Sequence, residues 1–286
     1  MQITLVLNPD AGDGATSSDE IQRAIEAAGH RVTVRRPGKS DPAEAVRDPG
    51  DLVAVAGGDG TVGRVMKALA GTSVPMAILP TGTANNIATS LGILGDPAKI
   101  VASWTGGVVR RVDVGSVRGP WGVTQFVESV GVGLLSHLIH PEQGARLEGT
   151  DEARAEARRA ARTLPAPARR VELDGRDLSG HYLLLEAMNI RCAGPNLWLA
   201  EQARAGDGKL EIVRALERDR AGLVALADTF GTSRPTLPTE RGTRLRLWCT
   251  PDELHVDDEH GAALGRWEGQ AAIDVSVGEL SVGVLR

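Results

Sequence analysis

The chain has 286 residues, 42% of them hydrophobic, and a formal net charge of -5. That length and apolar content can fill the cores of two ordinary domains and exclude a disordered or fibrous chain. The negative balance supplies no global positive field for nucleic acid, so any attraction to anionic lipid would have to be local.

The first residues, Met1 to Pro9, carry no basic leader, and their apolar run is too short for a secretory h-region, so they read as a first strand. No uncharged apolar stretch reaches the roughly 18 residues that a bilayer-crossing helix needs. A cytoplasmic protein is expected, peripheral at the inner membrane face if it works on lipid. Through about residue 105 short apolar runs alternate with helical stretches, the rhythm of βαβ units and a parallel sheet. The predicted strands are Ile3 to Leu7, Arg31 to Arg35, Leu52 to Ala56 and Met76 to Leu79. Helix-compatible runs lie between and after them at Ser18 to Ala28, Pro42 to Arg47, Val62 to Ala70 and Ala84 to Leu91.

From Arg110 the rhythm changes to closely spaced strands: Arg111 to Val117, Thr124 to Val130, Arg169 to Leu173, His181 to Asn189 and Leu210 to Val213. Further strands are expected at Arg244 to Cys249, Glu253 to Val256, Ala272 to Val277 and Leu280 to Leu285, with helices at Asp151 to Leu164 and Arg218 to Thr229. The fold class that follows is α/β, with an N-terminal doubly wound, mainly parallel sheet domain and a mainly β, sandwich-like C-terminal domain. Domain boundaries are placed at residues 1–108 and 109–278, and the last strand, 279–286, is a segment that could return to the first domain. Cys192 and Cys249 lack the spacing of a metal cluster and read as buried reduced thiols. Arg154, Arg158 and Arg162 share a helical face that could meet lipid headgroups, but the interleaved Asp151, Glu152 and Glu156 favour a solvated, ion-paired helix.

The sharpest chemical feature is Gly57-Gly58-Asp59-Gly60-Thr61, between an apolar strand and a helix-compatible run. Glycines let the backbone approach an oxyanion without a Cβ clash, and N–H groups at a helix start favour negative charge. A second small-residue turn, Pro80-Thr81-Gly82-Thr83-Ala84-Asn85-Asn86, follows the fourth strand, and Asn8-Pro9-Asp10-Ala11-Gly12 follows the first. All three would project from the carboxyl edge of the sheet, where open α/β sheets bind ligands. Singly, each would be a tight turn; together they point to nucleotide or phosphate binding.

This combination resembles the diacylglycerol kinase catalytic family, which includes bacterial lipid kinases and sphingosine kinases and is related more distantly to NAD kinases and phosphofructokinases. The Pro80 to Asn86 loop looks like the lipid-kinase PxGTxN pattern. The resemblance continues through Asp113-Val114-Gly115, Phe126 to Gly133, Asn189 and Gly206 to Leu210. It implies phosphoryl transfer from ATP, with Mg2+, to a lipid hydroxyl. By the same resemblance Gly57, Gly58, Asp59, Gly60 and Thr61 lie at the phosphates, with Asn8, Thr83 and Asn85 nearby. Asp207 corresponds to a residue that helps hold a structural magnesium, its other reading being an Asp-Gly turn.

A carboxylate must accept the proton of the attacking hydroxyl. Asp257-Asp258-Glu259 resembles the family's Asp-Gly-Glu, which makes Asp257 the base and Glu259 its partner; the alternative is an acidic hairpin turn facing solvent. Two positions depart from the family pattern: Ala11 stands where Ser is common, and Asp258 replaces the middle Gly. The expected acceptor is a lipid alcohol at the membrane surface, diacylglycerol first, with no nucleic acid partner and with a homodimer among the compatible assemblies. The phosphate loop alone would serve a soluble-metabolite kinase such as an NAD kinase equally well. Ala11 and Asp258 leave open a catalytically silent nucleotide-binding or lipid-binding regulator.

Overall fold

The computed structural model describes residues 1–7, 17–36, 44, 46–139, 150–229 and 237–286. The chain divides into two units, Met1–Val114 with Leu280–Arg286, and Gly115–Glu279.

The first unit contains β1 (Gln2–Leu7), α1 (Ser18–Ala27), β2 (Arg31–Arg35), β3 (Leu52–Gly57), α2 (Asp59–Leu69), β4 (Met76–Pro80), α3 (Asn86–Ser90) and α4 (Pro97–Ser103). The strand order is β2-β1-β3-β4, all parallel, and at the far edge Val284 of the last strand sits opposite Met76. β3 is buried along its whole length, as a central parallel strand covered on both faces must be. On one face Ile21 and Ile25 of α1 and Val101 of α4 pack with Ile3, Leu5 and Leu52. α1 starts where it does because Ser17 and Glu20 form a reciprocal capping box. Strand order reverses between β1 and β3, so the crevice at their carboxyl ends is the topological switch point. The loop that leaves β3 there is the Gly57–Thr61 segment.

The chain then runs through β5 (Val109–Gly119), β6 (Gly122–Phe126), β7 (Ser129–Gly133), α5 (Leu134–Ile139), α6 (Thr150–Thr163), β8 (Ala168–Arg169), β9 (Val171–Leu173), β10 (Arg176–Asp177) and β11 (Gly180–Met188). It continues as β12 (Cys192–Ala193), β13 (Leu197–Trp198), β14 (Leu210–Leu216), α7 (Arg220–Thr229), β15 (Thr239–Gly242) and β16 (Arg244–Cys249). β17 (Leu254–Val256), β18 (Glu259–His260), α8 (Gly261–Leu264) and β19 (Ala271–Leu285) complete it. In the second unit one antiparallel layer has the order β15-β14-β11-β7-β17-β18, and an opposing layer contains β10-β9-β16-β19. Phe126, Val130, Tyr182, Leu185, Ile212 and Leu247 are among the side chains of the core cluster that the two layers share, a sandwich. On the outer face of the first layer, Leu184, Met188 and Val213 pack with Ala160 and Ala161 of α6 and Leu223 and Leu226 of α7.

The mixed architecture is the expected one, but several elements differ from the sequence reading: the expected strand Arg169 to Leu173, for example, is two strands, β8 and β9. The expected strand Thr124 to Val130 is two strands, β6 and β7, separated at Val127 and Glu128. The expected strands Ala272 to Val277 and Leu280 to Leu285 are one, β19, which passes through Gly278 at φ 98°. Helix α4, opened by Pro97 behind the Asp96 cap, was not anticipated. Half of the predicted Pro42 to Arg47 helix, positions 42, 43 and 45, lies outside the described residues. Two members of the arginine face of α6 pair with Asp228 of α7, Arg162 at 2.7 Å and Arg158 at 4.0 Å, and the neighbouring Arg159 meets Glu156 at 2.5 Å. Both cysteines are buried and outside any disulfide, and burial pushes the Cys249 thiol up to about 12. No helix among the described residues is long and apolar enough to cross a membrane.

Candidate functional site

The first glycine loop is shaped by what glycine omits. A Cβ on Gly82 would lie 2.3 Å from the Gly58 Cα, and one on Gly57 would lie 2.9 Å from the Thr61 Cβ. The loops after β3 and β4 therefore touch backbone to backbone, which no side chain at Gly82 would permit. Gly58 caps α2 in an extended conformation, and its carbonyl accepts the N–H groups of Thr61 and Val62, each at 3.0 Å. The opening turn of α2 thus presents backbone N–H groups at the carboxyl edge of the sheet, a favourable place for negative charge.

The second loop is held by its own polar side chains. Asn85 adopts the left-handed conformation, φ 51°, which Asn tolerates better than most residues. Its Oδ1 accepts the Gly82 N–H at 3.0 Å, and its Nδ2 donates to the Gly82 carbonyl at 2.5 Å. Asp59 reaches across from the first loop: its two oxygens accept the N–H groups of Asn86 and Ile87, both at 2.9 Å. The Thr81 N–H donates to the Gly57 carbonyl at 3.2 Å. In the structure the side chains of Asp59 and Asn85, which the sequence places near phosphate, brace the two loops, and Thr83 is exposed. Asn8, with Ala11 and Gly12, lies outside the described residues.

In the second unit Asp257 and Asp258 form the two-residue turn between β17 and β18, with Val256 opposite Glu259. Asp257 has φ 52°, whereas Asp258 is not among the positive-φ residues. The glycine of the related Asp-Gly-Glu pattern is therefore not required at position 258 by the backbone. The Asp257 carboxylate accepts the N–H of Val127 at 3.0 Å and of Glu128 at 2.8 Å, and the Asp257 N–H donates to the Ser129 carbonyl at 2.8 Å. The carbonyls of the same two-residue link go to Asn189, whose N–H meets Glu128 O at 2.9 Å and whose Nδ2 meets Val127 O at 2.8 Å. The strand break after Phe126 thus exists to seat Asp257, which is half-buried; Asp258 and Glu259 are exposed. Beneath the turn lie Glu186 and His255, a buried pair that sequence reasoning missed, because nothing in a single chain links positions 69 residues apart.

Asp207 sits in the turn before β14. Its Oδ1 accepts the Lys209 N–H at 3.1 Å, its Oδ2 accepts from the Arg241 guanidinium, and Arg241 Nε also lies 2.8 Å from Glu211 Oε1. A guanidinium already balances both carboxylates, and the described residues contain no cluster of three or more acidic, His or Cys side chains suited to a metal. This donor set, already balanced by a guanidinium, does not fit a divalent cation.

A parallel-sheet unit with two interlocked glycine loops at its carboxyl edge, in a chain whose second unit is a sandwich carrying a braced acidic turn, fits the class of phosphate-handling enzymes. Residues 2–117 match the family model described as the diacylglycerol kinase catalytic domain. A "Diacylglycerol kinase" of Mycobacterium tuberculosis is 28% identical, over 92% of this chain and 90% of that protein. A "Probable lipid kinase YegS-like" protein of Pseudomonas aeruginosa is 30% identical, over 68% of this chain and 67% of that protein. In fold, the chain matches the crystal structure of a diacylglycerol kinase from Bacillus anthracis with a TM-score of 0.68 at 16% identity, covering 99% of this chain and 96% of that one. The chain belongs to the diacylglycerol kinase catalytic family, and its enzyme class is that of a lipid kinase.

Proposed function

We propose that the protein transfers the γ-phosphate of Mg-ATP to the hydroxyl of a membrane lipid, with diacylglycerol as the first acceptor to test. The observation that carries this reading is the Gly57–Thr61 turn, which opens α2 at the switch point of a parallel sheet and packs backbone to backbone on the Gly82 loop. Such a glycine-lined helix start suits phosphate, and the curated relatives named diacylglycerol kinase favour a lipid acceptor over a soluble one.

In this reading Gly57, Gly58, Gly60 and Thr61 lie at the nucleotide phosphates, with Thr83 and Asn8 contributing hydroxyl and amide contacts. Asp59 and Asn85 keep the two loops in register. Magnesium, carried on the phosphates, supplies neutralisation of their charge. Asp257 accepts the proton of the lipid hydroxyl as that oxygen attacks, and Glu259 assists from the same hairpin. Two N–H donors fix the orientation of the Asp257 carboxylate while leaving it further acceptor capacity.

The test is transfer of labelled γ-phosphate from Mg-ATP to diacylglycerol, sphingosine, phosphatidylglycerol or NAD in mixed micelles, with Asp257→Asn as control. A labelled lipid that disappears in the variant supports the reading and names the acceptor. Label on NAD alone, or ATP binding without transfer to any acceptor, would overturn it.

A further inference from the structure

We propose that Glu186 and His255 are a buried positioning pair that holds the Asp257 turn in its working geometry, an assignment that rests on Asp257 as the base. Glu186 is 0% and His255 1% exposed, and the imidazole Nε2 lies 3.1 and 2.9 Å from the two carboxylate oxygens. On its other side the ring reaches the turn: Nδ1 is 2.9 Å from the Asp257 carbonyl oxygen.

The sheet is built around this contact. Glu186 on β11 and His255 on β17 are both register partners of Gly131 on the strand between them. Two strand spacings separate the pair, roughly 9.6 Å. Only the absence of a side chain at the middle position lets the carboxylate cross. A Cβ on Gly131 would stand 2.3 Å from Glu186 Oε2 and 2.2 Å from the Leu185 carbonyl oxygen. A sandwich core gains nothing in stability from a glycine in a central strand or from an ion pair without water, since apolar residues of similar volume would serve as well or better. What the apolar replacement lacks is a donor to the turn.

A carbonyl oxygen only accepts, so Nδ1 must carry a proton. The proton between Nε2 and the carboxylate can reside on either partner, and both arrangements preserve Nδ1–H. Burial raises the Glu186 carboxyl against the pull of His255. For His255 burial acts downward but is outweighed by the Glu186 charge and the hydrogen bonds to Glu186 and Asp257, so its proton is held more tightly than usual. Asp257 is then fixed at three points: its N–H by Ser129, its carboxylate by the Val127 and Glu128 amides, and its carbonyl by His255. Only the last depends on a side-chain donor.

The experiment compares His255→Asn, His255→Gln and Glu186→Gln with wild type, using Mg-ATP and diacylglycerol in mixed micelles, with thermal melts alongside. Asn carries its amide near the position of Nδ1 and can still donate to the turn; Gln extends toward Nε2 and cannot. In Glu186→Gln the new amide can donate to Nε2, which leaves Nδ1–H in place. His255→Asn and Glu186→Gln should keep kcat within about 3-fold of wild type, whereas His255→Gln should lose roughly 10- to 100-fold in kcat with the KM for ATP unchanged. Equal kcat in the two His255 variants overturns the proposal. Nitrogen-15 histidine spectra of the unaltered protein need neither substrate nor variant: a slowly exchanging, protonated Nδ1 is expected, and an unprotonated Nδ1 also overturns it. Full activity in Asp257→Asn removes the base itself, a failure separable from these.

Discussion

The carboxylate of Asp59 caps the helix that begins at Asn86, accepting the Asn86 N–H at 2.9 Å and joining two loops 27 residues apart in sequence. Anchored in this way, the first loop cannot shift without carrying the second. Asp59→Ala should cost about 1 kcal/mol in urea unfolding, the usual worth of an N-cap side chain, and should weaken ATP binding. Asp59→Asn keeps an acceptor for one of the two N–H groups and should restore part of the stability. If Asn proved no better than Ala, the cap would not be the stabilising contact.

Gly82 tests the backbone contact between the same loops. Its Cβ would lie 2.3 Å from a backbone atom, whereas a Cβ on Gly58 would meet the Gly82 Cα at 3.2 Å, a clash that small shifts relieve. Gly82→Ala should therefore destabilise by roughly 1–3 kcal/mol, more than Gly58→Ala, because overpacked backbone must move apart. Chemical denaturation of both variants settles the order, and equal losses would show that the loops part without cost.

The frame was legible in the sequence because its signals are local. Buried β3 reads as an uninterrupted apolar run, and the Gly57–Thr61 turn stands between strand and helix pattern. What escaped depends on partners distant in sequence. The run from Thr124 to Val130 contains no Gly or Pro to mark a break, and the break at Val127 and Glu128 is stabilised by Asp257 and Asn189 from elsewhere in the sheet. Asp59 and Asn85 carry the right residue types for a phosphate loop, but only the fold shows that their side chains also accept backbone N–H groups and join the two loops. Glu186 had no sequence signal, since its meaning comes from the register that sets it beside Gly131.

The turn at Asp257 and Asp258 separates two roles that adjacent aspartates could share. Position 258 needs no positive φ, so Asp258→Gly relieves no strain and adds freedom to the unfolded chain. It should lower stability by roughly 0.5 kcal/mol. Asp257→Gly relieves φ 52° but leaves the Val127 and Glu128 amides without their carboxylate, a loss of about 1–3 kcal/mol. An Asp258→Gly variant that melted above wild type would mean that the backbone there is strained after all.

The acid limb of stability should run through Asp274. On β19 this residue sits opposite Arg246 of β16, with Arg246 Nε at 2.9 Å, Arg246 Nη2 at 3.0 Å and Arg244 Nη2 at 3.0 Å from its oxygens. Burial acts to raise its carboxyl, but the bonds to Arg246 and Arg244 outweigh burial and hold it below the ordinary aspartate value of 3.8. A carboxyl depressed in the folded state contributes stability above its unfolded value and loses it as pH falls through the folded one. Asp274→Asn should thus cost about 0.5–1 kcal/mol near pH 6, the scale of a partly exposed charge network. As the pH is lowered through 3.8 and below, wild type should lose stability faster than the variant, and their melting temperatures should converge. A gap that stayed constant on acidification would show that Asp274 acts by packing or neutral hydrogen bonding, which Asn would partly reproduce, and not through its charge.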